Sequence, residues 1–409
     1  MNLNRFLVAG MTAMVMTSCS DMKKSVTTTD PETIDTTKLQ QLQFTVEPAP
    51  EWTSLFKRTS GWFGGDGIFA ITRDGKETHG AAGSSETFIW FSDTILGEIE
   101  NDSLQTPLVM INNSMATLNG GQPVNSAINF KWDSTAEKKA AALFIPRTPA
   151  TRDGDYYWLG DGFVNHKKNN DLYIFGYRIR TTAAGGAFGF EEVGNTIIIV
   201  PAGERPPFKN YRQIDVPFFL GRKVDSTGSF GAGVLVNTEE AGAKNPDGYI
   251  YVYGVRGQTK NVMVARFRPE DIEAFDKWTF WSGKNWTSDP HGIQTITNRV
   301  SNELSVSPLG DGRYAMIFQV DGLGKNVGLR LGATPYGPFG PVINVYDVSK
   351  DLENDKDIFP YNAKAHPVLS QPNELLISFN VNSFDFFNDI KEYPNLYRPR
   401  FIRMKYELK

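Results

Sequence analysis

The stretch that decides the fold runs from Gly61 to Ser114. It reads Gly61-Trp62-Phe63-Gly64-Gly65-Asp66-Gly67-Ile68-Phe69-Ala70-Ile71, then, after an insertion, Thr87-Phe88-Ile89-Trp90-Phe91-Ser92-Asp93-Thr94, then Val109-Met110-Ile111-Asn112-Asn113-Ser114. The apolar runs are short, rich in β-branched and aromatic residues, and bounded by Gly, Asp and Asn, which is the pattern of strands joined by tight turns. Asp66 precedes one run and Asp93 follows the next, so two adjacent antiparallel strands bring both carboxylates to the same end of a sheet. Two carboxyls at one sheet end are placed to work on a single bond as acid and base or nucleophile.

Outward from there the same grammar continues. The turn pair Asp74-Gly75 closes a hairpin, with the polar excursion Thr78 to Ser85 inside it. Strands are expected within Pro107–Leu118, Ala141–Ile145 and Tyr156–Trp158, then at Leu172–Tyr177 and Thr196–Val200. A third group holds Gly231–Val236, Tyr249–Gly254, Val262–Phe267 and Trp278–Trp281, and a fourth holds Glu303–Val306, Tyr314–Phe318, Val327–Leu331 and Val342-Ile343. The last holds His366–Leu369, Leu375–Asn380 and Phe401–Tyr406, one strand short. Only Pro269 to Phe275 reads as a helical turn or two, with an early proline and acidic residues after it. Groups of about four strands recurring every 45 to 80 residues or so are the signature of a β-propeller. The expectation is an all-β, five-bladed β-propeller over residues 41–409, its ring closed by pairing the N-terminal strand at Leu42–Val46 with the C-terminal one. A pair of β-sandwiches is the competing all-β arrangement, but it leaves the likeness of the third and fourth groups unexplained.

Composition agrees and narrows the function. The chain has 409 residues, 12% aromatics, 38 Gly and 23 Pro, which favours strands and turns over long helices. A net charge of −4 argues against nucleic acid as a partner, since phosphate neutralisation needs concentrated Lys and Arg. The single cysteine, Cys19, follows one positive charge at Arg5, an apolar run from Phe6 to Met16, and the small residues Thr17-Ser18. That is a secretory signal over residues 1–18 with a lipobox-like end, Met16 standing where Leu is usual. The reading is a bacterial lipoprotein lipidated on Cys19, held at the membrane of the cell envelope on the periplasmic or outer surface, with residues 19–40 as a flexible tether. An ordinary signal peptide with a leftover cysteine is the alternative.

In a propeller, polar residues beside the first strand of each group converge on one centre. Asp66, Asn113, Asp161, Arg256, Glu303 and His366 are those residues, with Asp93 next to Asp66. Glu303 opens an alternating strand, where a carboxyl in a cleft can have its pKa raised enough to act as an acid. Asp161, between two glycines, also fits a plain turn. Trp62, Trp158 and Tyr361 are possible stacking platforms for sugar rings. The four histidines show no metal-ligand spacing and no cysteine is available for zinc, so no cofactor is expected, a structural calcium being left open. Phosphate-loop and nucleophile-elbow motifs are missing from the sequence.

Taken together, Gly61–Gly67, Trp90–Thr94, Met110–Ser114, Tyr251–Gly254, Val264–Phe267, Asn302–Val306 and Thr334–Phe339 resemble a five-bladed propeller family once catalogued only as a domain of unknown function. Part of that family is glycoside hydrolase family 183, the endo-D-arabinanases. The resemblance spans Gly61 to about Ser383. It implies that Asp66 and Asp93 are the catalytic pair and that the partner is a carbohydrate; from the reading of the residues themselves, Asn113, Asp161, Arg256, Glu303, His366, Trp62 and Trp158 are expected around the substrate. The sequence departs from the family at Thr78–Ser85 and in the Phe384–Asp389 loop, which bears on the choice of glycan. The expected function is a lipid-anchored glycoside hydrolase cleaving an extracellular polysaccharide, D-arabinan among the options. Alternatives are a non-catalytic glycan-binding surface lipoprotein and a structural or partner-binding propeller.

Overall fold

The computed structural model describes residues 36–101, 103–183, 189–220 and 228–408. The signal segment 1–18, Cys19 and most of the 19–40 tether lie outside these residues. The described unit opens with a short 3-10 turn at Thr36–Leu39, and Leu39 is buried among the apolar side chains of the last two sheets.

Among the described residues five antiparallel sheets of four or five strands follow one another along the chain, beside a further four-stranded sheet and a two-stranded one. The first joins Phe69–Thr72, Thr87–Phe91, Ser114–Leu118 and Ile128–Lys131. The second joins Tyr156–Asn165, Asp171–Thr181, Phe190–Val200 and Arg212–Asp215, and the third begins with Gly228–Asn237, Tyr249–Arg256 and Asn261–Phe267. The fourth joins Leu304–Pro308, Tyr314–Gln319, Asn326–Gly332 and Ile343–Asp347. The fifth joins Ile358–Ala365, Glu374–Ser383 and Arg400–Glu407, with Gln43–Pro48 as its outer strand. The strand expected at Leu42–Val46 thus pairs with the last strand, Phe44 opposite Tyr406 and Val46 opposite Met404.

Strands buried on both faces carry unbroken apolar runs rather than alternation, and Thr87–Phe91, Ile197–Val200 and Val262–Ala265 are buried throughout. Their side chains fill apolar layers between sheets. Trp90, Met115 and Leu159 lie between the first and second, and Phe175, Phe230 and Trp278 between the second and third. Ile89 and Phe91 of the first sheet share a layer with Leu376 and Phe401 of the fifth, covered by the short helix Pro50–Leu55 through Trp52 and Leu55. The opening strands of the first four sheets lie beside one another in chain order, and that of the fourth lies beside that of the fifth.

Three features differ from the sequence expectation. Ser60–Gly65, not among the expected strands, is a strand pairing with Thr94–Glu100 in a separate sheet. Ala141–Ile145 supplies only a two-residue strand at Ala140–Ala141. Phe384–Asp389, read as loop, runs into a helix at Phe386–Glu392 that buries Ile390 against the fifth sheet. Short apolar runs carry no periodicity that separates these cases.

Candidate active site

Asp66 and Asp93 are brought together by backbone pairing: the Asp66 N–H donates to the Asp93 carbonyl at 3.2 Å and the Ser92 N–H to the Asp66 carbonyl at 2.8 Å. Gly64 makes room for the rest of the pocket. A Cβ there would fall 2.3 Å from the Tyr397 carbonyl, and this close approach brings the Tyr397 hydroxyl alongside Asp66. The Tyr361 hydroxyl donates to Asp66 Oδ2 at 2.7 Å, while Asp66 Oδ1 is buried with no partner. Asn112 donates to Asp93 Oδ1 at 3.2 Å. The Trp158 indole faces Asp93 closely enough to favour its charge, yet its N–H makes no bond of hydrogen-bond geometry.

Burial is the largest influence on both carboxyls and raises both pKa values; Tyr361, Tyr397 and Lys364 oppose the rise at Asp66. Asp93 is pushed up to about 7 by burial and by the Asp66 charge, against the pull of Trp158 and Asn112. Two like charges in one desolvated pocket cannot both ionise cheaply, so the pair retains a proton near neutrality.

Two further carboxyls join them. Glu303 is 7% exposed, takes the Lys364 ammonium as an ion pair, and accepts from Asn362 Nδ2 at 2.9 Å. Burial raises its pKa against the Lys364 charge, and Asp66 repels it. Lys364 Nζ also stands 4.1 Å from the Phe69 ring centre, tying the fifth sheet to the first. Asp161 accepts from the Gly162 and Val234 N–H groups at 2.9 and 2.7 Å, and burial pushes it up to about 7. Register breaks at Leu159/Gly162 and Tyr361/Lys364 place Asp161 and Asn362 in bulges of their strands, which re-aim side chains out of the pleat.

The structure therefore brings Asp66, Asp93, Asp161, Glu303 and Trp158 of the expected site into one region. Four others have different roles. Asn113 is fully buried; its amide donates to the Phe144 and Tyr157 carbonyls at 3.0 and 3.2 Å and accepts from the Phe144 N–H at 2.8 Å, so it staples the first sheet to the second and has nothing left for a sugar. Its neighbour Asn112 reaches Asp93 instead. His366 is buried against Ser378 Oγ at 2.7 Å, and burial, aided by the Lys364 charge, lowers its pKa to about 3, so it is a neutral structural imidazole. Trp62 is 1% exposed, stacked on Phe130 at 4.4 Å and bonded to Ser114, which makes it core. Arg256 donates to the Ile293 carbonyl at 3.3 Å, away from the carboxyls.

Asn112, Tyr397, Lys364 and Asn362 escaped the sequence reading. An internal repeat could have separated Asn112 from Asn113: Asn195, in Gly194-Asn195-Thr196, makes the same bridge from the second sheet to the third through the Phe230 carbonyl and N–H, and so corresponds to Asn113. Tyr397 comes from a segment between strands and carried no signal. Among the described residues no group of His, Cys, Asp and Glu is arranged to hold a metal ion, and no helix is long and apolar enough to cross a membrane.

An all-β scaffold presenting clustered, desolvated carboxyls is the class that the fold and site define. The chain belongs to the family described as "Domain of unknown function (DUF5005)", whose model matches residues 50–406. A search of curated proteins returns no match. Among solved structures, a protein from Bacteroides ovatus, provisionally described as a hydrolase, is 22% identical with a TM-score of 0.68, over 89% of this chain and 91% of its own; the two share a fold. An α-L-arabinofuranosidase from Podospora anserina, solved with cellotriose, is 9% identical with a TM-score of 0.45, over 90% of this chain and 98% of that one. A GH43_1 enzyme from Xanthomonas citri, solved with xylotriose, is 13% identical with a TM-score of 0.41, over 88% and 93%.

Proposed function

We propose that this chain is a glycoside hydrolase, its five sheets the blades of a propeller closed by Gln43–Pro48, and that Asp66 and Asp93 are its working carboxyls. One observation carries the reading. Two carboxyls are held side by side in a desolvated pocket, and one buried oxygen, Asp66 Oδ1, has no partner at hydrogen-bond geometry. A structural carboxylate is paired; one left open is available to a substrate.

In this reading the pair supplies what glycosidic cleavage needs, a proton for the departing oxygen and a carboxylate that attacks or activates water. Tyr361 and Tyr397 hold Asp66 in place, Asn112 orients Asp93, and the Glu303–Lys364 ion pair sets the field from the far side. The resemblance to glycoside hydrolase family 183 makes D-arabinan the first glycan to try. The signal and Cys19 in the sequence support anchorage at the cell envelope by a lipid.

The test is release of reducing sugar from bacterial and plant polysaccharides, D-arabinan included, by the protein and by its Asp93→Asn and Asp66→Asn forms. Release that each substitution lowers by at least about a hundredfold is expected. Binding without release, unaltered by either substitution, would make the protein a glycan-capturing lipoprotein.

A further inference from the structure

Against Trp158, whose indole faces Asp93, lies a cavity of about 160 Å³, lined also by Tyr177, Phe190, Glu192, Ser229 and Asn302, together with two aliphatic side chains. This is roughly half the 300 Å³ at which drug-sized sites begin, the scale of a single ring. Its wall is amphipathic in the way a sugar ring requires. Trp158 and Phe190 meet edge to face at 4.5 Å, forming an aromatic flank, and the Tyr177 hydroxyl is buried with no partner. Glu192 accepts from the Ser229 hydroxyl, and Asn302 accepts from Lys260 Nζ at 2.6 Å. Buried polar groups normally find partners, so the unsatisfied Tyr177 hydroxyl on a wall that also carries Glu192, Ser229 and Asn302 points to a ligand rich in hydroxyls.

The charge of the surroundings selects among such ligands. Asp66, Asp93, Asp161, Glu192 and Glu303 are five acidic groups in the cluster and the cavity beside it. Lys364 and Lys260 are the cations that act on them, and each already donates to a protein group, Glu303 and Asn302 respectively. Among the described residues an entering carboxylate would find neither of these cations free, and it would be repelled by each of these carboxyls that is ionised; even in water one like charge at about 4 Å costs about 1 kcal/mol, and more where water is excluded.

We propose that the cavity between Trp158 and Glu192 is the binding subsite for one uncharged sugar ring next to the carboxylate pair, and that the site rejects uronic acids. This rests on the glycan reading above, though not on catalysis.

The experiment titrates the full chain carrying Asp93→Asn, by calorimetry and tryptophan fluorescence, with arabino-, xylo-, galacto- and gluco-tetraose, and with tetragalacturonate as the free acid and as its methyl ester. At least one neutral tetraose should bind, with Trp158→Ala weakening it at least tenfold and the conservative Tyr177→Phe severalfold. The free acid should bind at least tenfold more weakly than the best neutral ligand and no better than its own ester. Binding of the free acid as tight as the best neutral ligand, unchanged affinity in both variants, or no binding of any neutral tetraose would overturn the proposal. The two readings fail separately. Neutral binding that depends on Trp158 and Tyr177, without product release by the unmutated protein, removes the hydrolase and leaves the subsite. Product release with binding indifferent to both variants removes the subsite and leaves the hydrolase.

Discussion

The second sheet has two carboxyls near the start of its first strand with opposite fates. Asp155, just before Tyr156–Asn165, has a side chain with no solvent exposure and is gripped by Arg180 at 2.7 and 2.8 Å, with Arg178 Nε 3.9 Å away and the Arg152 N–H donating at 2.9 Å. Burial acts to raise its pKa, but the two arginines and that N–H overcome it and hold the carboxyl below its usual range. Asp161, further along, receives two backbone N–H groups and no guanidinium, and burial wins, to about 7. Surroundings and partners both separate the two: Asp161 has the larger burial penalty and no guanidinium to offset it. Where the chain supplies bidentate arginines, a buried carboxyl is structural; where it withholds them at Asp66, Asp93 and Asp161, it keeps groups whose charge costs the fold stability.

The largest effect that could break this comparison is on activity. Asp93→Asn should lower glycan cleavage at least about a hundredfold and yet stabilise the fold by a couple of kcal/mol or so, because it removes a charge that burial disfavours. A Tm that falls while cleavage persists would put Asp93 with Asp155. The converse is Asp155→Asn, which strips Arg180 of its carboxylate. Denaturation should show a loss of about 3 kcal/mol, as expected when one member of a buried pair goes, with kcat/KM little changed.

A smaller effect tests how the pair is positioned. Gly67 has φ of +62°, and a Cβ there would lie 2.8 Å from Ser92 Oγ and 3.3 Å from Glu303 Oε1. Ser92 Oγ in turn accepts from the Leu159 N–H at 2.8 Å, a staple between the first two sheets. Gly67→Ala should therefore cost about 1–2 kcal/mol through left-handed strain and a displaced Ser92, and should lower kcat more than it raises KM. Unchanged kcat in a folded variant would mean that the Asp66 turn tolerates movement.

How far the sequence carried these points follows from the physics of each residue. The strand groups were legible because apolar runs and turn residues are local signals, and Asp66 and Asp93 because each abuts such a run. Their convergence with Asp161 and Glu303 followed from assuming that groups repeat. Trp62, Asn113 and His366 were misplaced because residue type does not tell a satisfied buried polar group from an open one. Asn113 bonds three backbone groups that lie 31 and 44 residues away, which no local pattern encodes. Lys364 was hidden because the bulge at Tyr361/Lys364 breaks the alternation by which a strand face is read.

The smallest effect, the dependence of stability on pH, reads the whole comparison at once. Asp93, Asp161 and Glu192 have folded pKa values of about 7, and Glu77, buried near Asp161 and Asp74, one of about 8, all raised first by burial. A raised carboxyl binds more protons folded than unfolded, so its contribution is complete below the unfolded value near 4 and is lost as pH rises through 7 to 8. Asp155 has the opposite sign: its contribution is present above the unfolded value and is lost only as pH falls through its lowered folded one. Between pH 5 and 8 the raised groups titrate and Asp155 does not. The Tm should therefore fall across that interval, less steeply in Asp93→Asn and just as steeply in Asp155→Asn. A Tm that rises from pH 5 to 8 would mean that these carboxyls are paired in the folded protein and that the contrast between Asp155 and Asp161 does not hold.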